Sequence, residues 1–421
     1  MKTLIETLLR EFRDKLPLSL VRRNLTFHNI PNKIHVAMGM RRTGKTFFLY
    51  QTILDLLQQG IPIERIVYIN FEDERLLPMT AIKLGELVKA YYELFPEHHD
   101  HPCYMFFDEI QNVSGWPIVL RRLHDQAKMH IYITGSSSKM LSKEISTSLR
   151  GRSMAVEVWP FSFAEYLKAK NISATSAIAS SKQHDYLKKY LRDYLTSGGF
   201  PETMEISLQS SIALLQNYVQ SVIFRDIVER HRVKHIELIK NIVHTFLQTP
   251  GTAFSVNKHL KHLKSIGNKV GKTTIHNYMA HIEDSYLAFS VPLFTPSYRQ
   301  RNIYPRKIYA VDSGLYAAHR FDQQDAYGRL FENLIYLDLR RLGYDIFYYI
   351  TPSGYEIDFV AQHRISKKTR LIQACYDAKH PATAERETRA LAEAEKSLGL
   401  KGELVTPELY LRQWVKPGEL V

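Results

Sequence analysis

The sequence predicts an α/β fold, a parallel sheet with flanking helices built round a phosphate-binding loop. Three observations predict it. Gly39-Met40-Arg41-Arg42-Thr43-Gly44-Lys45-Thr46 spells G-x-x-x-x-G-K-[ST]. The short apolar run 34–38 precedes it, and Phe47, Tyr50, Ile53, Leu54 and Leu57 follow at helical spacing until Gly60. Further on, residues 103–107 form a continuous apolar strand that ends in Asp108-Glu109.

Strand, glycine loop and helix are what triphosphate binding requires. Gly39 and Gly44 let the backbone curl so that successive N–H groups point at phosphate oxygens, and the helix N-terminus adds positive potential. The expected ATP cradle is Gly39, Met40, Arg41, Arg42, Thr43, Gly44, Lys45, Thr46 and Phe47. Lys45 would reach the β- and γ-phosphates, and the Thr46 hydroxyl would complete a Mg2+ shell. Asp108, at the end of a buried strand, can hold that ion through its waters. Glu109 is placed to orient and deprotonate the attacking water.

At 421 residues the chain is expected to form roughly two to four domains. Its 45% hydrophobic and 24% charged residues are ordinary for a folded, soluble protein. A net charge of +13 points to a polyanionic partner, nucleic acid before membrane. Cys103 and Cys375 stand far apart, which excludes a disulfide framework and fits a reducing cytoplasm. Near the start, Glu6, Arg10, Glu11, Arg13 and Asp14 interrupt Leu4, Leu8, Leu9 and Phe12, so an amphipathic helix is expected rather than a targeting segment. No apolar run reaches membrane-spanning length, and the expected location is cytoplasmic.

Residues 66–72 read as a second buried strand and 84–95 as a helix. Glu97-His98-His99-Asp100-His101 reads as a turn closed by Pro102, because consecutive residues cannot all face one ion. Strand 130–134 ends in Thr134, the first candidate to sense the γ-phosphate and position water, with Ser136 the second. Arg150 and Arg152 bracket Gly151 ahead of another strand, 154–159. Either could reach a neighbouring subunit's γ-phosphate, a contact worth roughly 10³–10⁵ in rate, with Arg121 and Arg122 as rivals.

The order GMRRTGKT, FFDEIQNVSGW, ITGSSSKML, SLRGRS and WPFSFAEYL resembles a family of bacterial and archaeal AAA-type P-loop ATPases. These carry a C-terminal domain of unknown function with a restriction-endonuclease-like, PD-(D/E)xK-like core. The resemblance continues through TSGGFPETM, VIFRDIVER, YAVDSGL, FENLIYLDL and GYEIDFV, nearly the whole chain. It implies a Mg2+-dependent ATPase that works as a homo-oligomer, a ring or spiral such as a hexamer. The expected fold is a P-loop NTPase core of the AAA type over 1–195, a helical lid over 196–235, a winged helix over 236–300 and a small α/β endonuclease-like domain over 301–421.

The lid segment carries Arg225, which resembles a fixed family arginine able to report nucleotide state. Three short helical patterns starting at Ile236, Ser255 and Lys272, then a strand over 287–294, match a winged helix-turn-helix. Lys272, Thr273, His276 and Asn277 would face a major groove, and Arg299, Arg301, Arg306 and Lys307 suit phosphate contact. DNA is the expected partner; such modules also dock proteins, so a protein partner is the alternative.

In the C-terminal part, Glu332 and Asp358 match the helix glutamate and strand aspartate of the endonuclease core. Gln373 stands where a second acid belongs and Cys375 where a lysine belongs. An amide is a poor Mg2+ ligand, and Asp377-Ala378-Lys379 lies past the strand's end. A degenerate nuclease site, kept for binding or packing, is expected. The leading reading is a DNA-associated ATPase that remodels or moves along nucleic acid. The alternatives are a nucleotide-controlled switch on a protein partner, of the defence or toxin–antitoxin type, and, less favoured, a DNA nuclease.

Overall fold

The computed structural model describes residues 2–17, 19–126, 128–135, 149, 151–172, 181–248, 250–267, 269–320, 326–378 and 380–414. The chain divides into two compact units, Met1–Val158 and Trp159–Val421.

In the first unit five strands form one parallel sheet. They are β1 (Ile34–Met38), β2 (Ile66–Asn70), β3 (Cys103–Asp108), β4 (Met129–Gly135) and β5 (Ser153–Glu157). Their order across the sheet is β2-β3-β4-β1-β5. β1 is buried at every position, as a strand covered on both faces must be, which is why its sequence is a run rather than an alternation. The helix α1 (Lys2–Lys15) buries Ile5, Leu8, Leu9 and Phe12. Phe12 packs with Leu49, Ile53 and Leu56 of α2 (Lys45–Gln58) over Ile66, Tyr68, Phe106 and Tyr132. Because β4 lies between β1 and β3, the end of β4 separates the loop after β1 from the acids after β3. A crevice outside the carboxyl ends of such strands is where ligands bind in open parallel sheets.

The second unit opens with α3 (Phe163–Ala169), α4 (Ser181–Ser197) and α5 (Leu208–Ser221), and α5 runs on as a π-helical turn, Val222–Glu229. The lid segment is thus helical but changes type, its i→i+5 bonds underwinding the second part, where Arg225 is exposed. Next come α6 (Ile236–Gln248), β6 (Ala253–Phe254), α7 (Val256–Ser265), α8 (Lys272–Asp284), β7 (Ala288–Val291) and β8 (Arg306–Ala310). β8 lies between β6 and β7, antiparallel to both. Last are α9 (Ser313–His319), α10 (Ala326–Arg341), β9 (Tyr344–Ile350), β10 (Glu356–His363), β11 (Thr369–Ala374), α11 (Pro381–Leu398) and β12 (Gly402–Val405). Their sheet runs β9-β10-β11-β12, antiparallel except for the parallel β11/β12 pair. Ala390, Leu391 and Ala394 of α11 cover Ile357, Val360 and Leu371.

The division at Val158 and Trp159 falls ahead of the expected edge at 195, and β8 pairs with strands on the other side of the expected 300/301 boundary. The Ser197-Gly198-Gly199 breaker behind the first expectation is a turn inside the second unit. Gly198 has φ 76, and Asp312 accepts from the Gly199 N–H at 2.7 Å and the Gly314 N–H at 2.8 Å. A Cβ on Gly198 would lie 1.8 Å from Asp312 Oδ1. Gly198→Ala is expected to cost about 2–4 kcal/mol, since overpacking adds to left-handed strain. Thermal unfolding of the purified chain checks this, at roughly 2–4 °C per kcal/mol for a unit of this size.

Among the described residues no helix is long and apolar enough to cross a membrane. Cys103 and Cys375 are both buried thiols. Within the Glu97–His101 segment, Pro96–Asp100 is a short helical turn in which His98 Nδ1 lies 2.7 Å from the Tyr91 hydroxyl.

Candidate active site

The loop between β1 and α2 is shaped by its packing. A Cβ on Gly39 would stand 2.2 Å from the Val158 carbonyl oxygen, so only glycine fits there. Gly44 has φ 91, the left-handed turn that starts α2. Arg42 also takes a left-handed φ of 68. Thr43 Oγ1 donates to the Met40 carbonyl at 3.0 Å, and the Thr43 carbonyl accepts from the buried Arg23 guanidinium at 2.9 Å. Arg41 pairs with Glu72 at 3.0 Å, while Phe47 is 56% exposed beside the loop. Lys45 Nζ donates to the Gly39 and Met40 carbonyls at 3.2 and 3.0 Å.

The acids of β3 meet this loop. Asp108, 1% exposed, accepts at Oδ2 from Thr46 Oγ1 at 2.7 Å and from the Tyr68 hydroxyl at 2.8 Å. Its Oδ1 accepts from Thr134 Oγ1. Burial, then the Glu109 charge, push this carboxyl up, against the pull of those three hydroxyls. Glu109 takes a left-handed φ of 53, and its N–H donates to Thr134 Oγ1 at 2.8 Å. Gln111 Nε2 donates to Glu109 Oε2, and Glu109 Oε1 lies 3.8 Å from Lys45 Nζ.

Thus Lys45, Thr46, Asp108, Glu109 and Thr134 converge. Thr134, expected to sense the γ-phosphate, donates from Oγ1 to Asp108 Oδ1 and accepts from the Glu109 N–H. Tyr68 and Gln111 are additions that the sequence reading missed. Ser136 and Arg150 lie outside the described residues. Arg152 forks onto Asp125 at 2.9 and 3.1 Å, a pairing within its own unit.

The donor set fits a Mg2+–triphosphate group. A buried carboxylate whose charge is disfavoured by its surroundings gains from a cation, and Thr46 Oγ1 already touches it. Residues 39–46 would cradle the phosphates, with Lys45 on the β- and γ-phosphates and Thr46 and Asp108 on the ion. When bound, Mg2+ neutralises charge that develops between those phosphates.

An AAA domain matches residues 31–167, and a domain of unknown function, DUF8612, matches residues 188–325. The uncharacterized protein MJ1544 of Methanocaldococcus jannaschii is 36% identical over 384 residues, covering 90% of this chain and 82% of that one. The chain belongs to that family of AAA-domain proteins. An uncharacterized protein of Haemophilus influenzae is 30% identical over 334 residues, 78% of this chain and 79% of its own length. Among solved structures, the Walker-type ATPase PABY2304 of Pyrococcus abyssi aligns at TM-score 0.45 and 13% identity over 72% of this chain and 99% of that chain. The AAA domain accounts for the β1–β5 sheet and the whole Lys45–Asp108–Glu109 site.

Elsewhere, Lys272, Thr273, His276 and Asn277 are all exposed on α8, whose opposite face buries Ile275, Met279 and Ile282. Burial and Lys272 hold the His276 imidazole below its usual range. Arg299 is exposed, but Arg301 donates to the Thr295 carbonyl at 2.8 Å and lies over the Phe347 ring. Lys307, expected on a phosphate, is 1% exposed and bonded to acids instead. Two of those acids, Glu332 and Asp358, are the pair expected at the degenerate site, and Gln373 lies beside them.

Proposed function

We propose that the chain is a Mg2+-dependent ATPase that works on DNA as an oligomer, coupling hydrolysis to remodelling or movement. The observation that carries the ATPase part is the 2.7 Å Thr46–Asp108 contact with Glu109 held 3.8 Å from Lys45. On binding, the Lys45 ammonium exchanges two backbone carbonyls for phosphate oxygens. Glu109 Oε1, which faces Lys45 at 3.8 Å while Oε2 is engaged by Gln111, is the carboxylate oxygen that takes a proton from the attacking water once Lys45 turns to the phosphates. The described fork between Arg152 and Asp125 would have to open before that arginine could serve a neighbouring subunit.

The DNA part rests on the exposed polar face of α8. Helices α6, α7 and α8 with the β6–β8 sheet have the composition of a winged helix-turn-helix, and the net charge of +13 favours a polyanion. Lys272→Ala is expected to weaken duplex binding evenly across sequences. It should also lower the slope of log affinity against log salt by about 1, the loss of one phosphate contact. Fluorescence anisotropy of a labelled duplex over a salt series reads both. An unchanged slope and affinity in Lys272→Ala, with retention of a protein instead of DNA, would favour the switch reading.

A further inference from the structure

We propose that His231, His281 and Asp284 form a binding site for a transition-metal dication of the Zn2+ class. The bound ion joins the helix that ends at His231 to α8.

His231 closes the helix that runs on from the π-helical turn Val222–Glu229. His281 and Asp284 lie three residues apart on α8, a spacing that puts both side chains on one helix face. One ligand atom from each of the three, two imidazole nitrogens and a carboxylate oxygen, lie within 4.8 Å of one another. The two rings, brought from separate elements, stack with centroids 3.8 Å apart at 14°. His231 Nε2, His281 Nδ1 and Asp284 Oδ2 are all shut off from solvent.

Contacts on both sides hold the two elements at this point. Arg232 takes a left-handed φ of 50, which stops the helix directly after His231. The Val233 N–H donates back to the Val228 carbonyl at 3.1 Å. The His235 N–H donates to the Tyr278 hydroxyl of α8 at 3.2 Å, so the chain leaving the first helix is tied to the second. α8 itself is anchored by its buried Ile275, Tyr278, Met279 and Ile282. Ligands carried on such elements are placed more precisely than ligands on loops. π turns and left-handed residues other than glycine also gather at functional sites.

The donor set chooses the metal. Imidazole suits Zn2+, Cu2+, Fe2+ and Ni2+, whereas Mg2+ prefers shells made of oxygen. Zn–N and Zn–O bonds of about 2.0–2.2 Å put tetrahedral ligand atoms roughly 3.3–3.5 Å apart. The ligand atoms start within 4.8 Å, so modest rotation of the side chains closes the site. Parallel rings aim their lone pairs side by side, and turning them to a common centre takes rotation about χ2. That torsion is broad and soft in histidine. Three protein ligands leave a fourth position for water.

The test uses the full chain in excess Mg2+, without nucleotide or DNA, so its outcome is independent of the ATPase reading. Zn2+ is titrated calorimetrically, and Co2+ is followed by its visible absorption, which reports the ligand set. Wild type is expected to take up one tight equivalent of either metal that Mg2+ does not displace. Its melting temperature should rise with Zn2+, as for any ligand that binds the folded state alone. His231→Gln, His281→Gln and Asp284→Asn should each weaken Co2+ binding by about 10–100-fold or more, the loss that follows removal of even an outer partner of a metal. Melting curves without metal establish that each variant is folded, and the alanine variant serves where the amide variant is not. No uptake of Zn2+ or Co2+ by wild type, or wild-type affinity retained in any one of the three folded variants, would overturn the proposal.

Discussion

Lys45→Ala is expected to abolish turnover and to weaken ATP binding at least tenfold. The Lys45 ammonium is buried, 5% exposed, and in the free protein is held by two backbone carbonyls of its own loop. Those carbonyls can turn to water once the side chain is gone, so the apo loop should fold. Phosphate oxygens have no such alternative. A charge-assisted hydrogen bond contributes about 1.5–3 kcal/mol, or roughly 10–150-fold in affinity. Titration of a fluorescent ATP analogue into folded variant and wild type measures the difference. Equal affinities would remove the phosphate loop from the account.

Glu109→Gln should separate binding from chemistry. The amide keeps the size of the side chain but cannot accept the water's proton, so turnover should fall about 10²–10⁴-fold, the usual share of a general base. Affinity should hold or rise, because a negative charge is removed from beside the γ-phosphate. The variant should also relieve Asp108, since Glu109 is the second cause of its raised carboxyl, after burial. Single-turnover hydrolysis alongside equilibrium binding distinguishes the two effects. Loss of binding in step with loss of turnover would reassign Glu109 to holding the site together.

Much of this site is legible in the sequence because its parts are local. The loop, the strand before it, the helix after it and the Asp108-Glu109 pair are each continuous patterns. Their convergence is less local, since the Thr46–Asp108 contact depends on β4 lying between β1 and β3. Tyr68 was overlooked because, within an apolar strand, a tyrosine reads as core, and it is core on every side but its hydroxyl. Gln111 becomes visible only with the left-handed turn at Glu109.

Lys307 shows a different failure. Beside Arg306 it reads as part of a basic surface run. Strand geometry puts it on the face of Tyr309, opposite Arg306, but the strand is buried on both faces from Lys307 on, so no alternation marks the lysine as buried. What no local pattern could supply is that this face meets Glu332 and Asp358 from elements further along the chain. Gly198 and Gly199 likewise look like a linker until Asp312 is seen to tie them down.

The most direct test of a DNA-coupled ATPase is phosphate release from ATP by the purified wild-type chain with Mg2+, with and without duplex DNA, across a salt series. The account predicts release that rises on adding DNA and loses that rise as salt screens phosphate contacts. A rate that ignores DNA at every salt concentration, or no release under any condition, would contradict it.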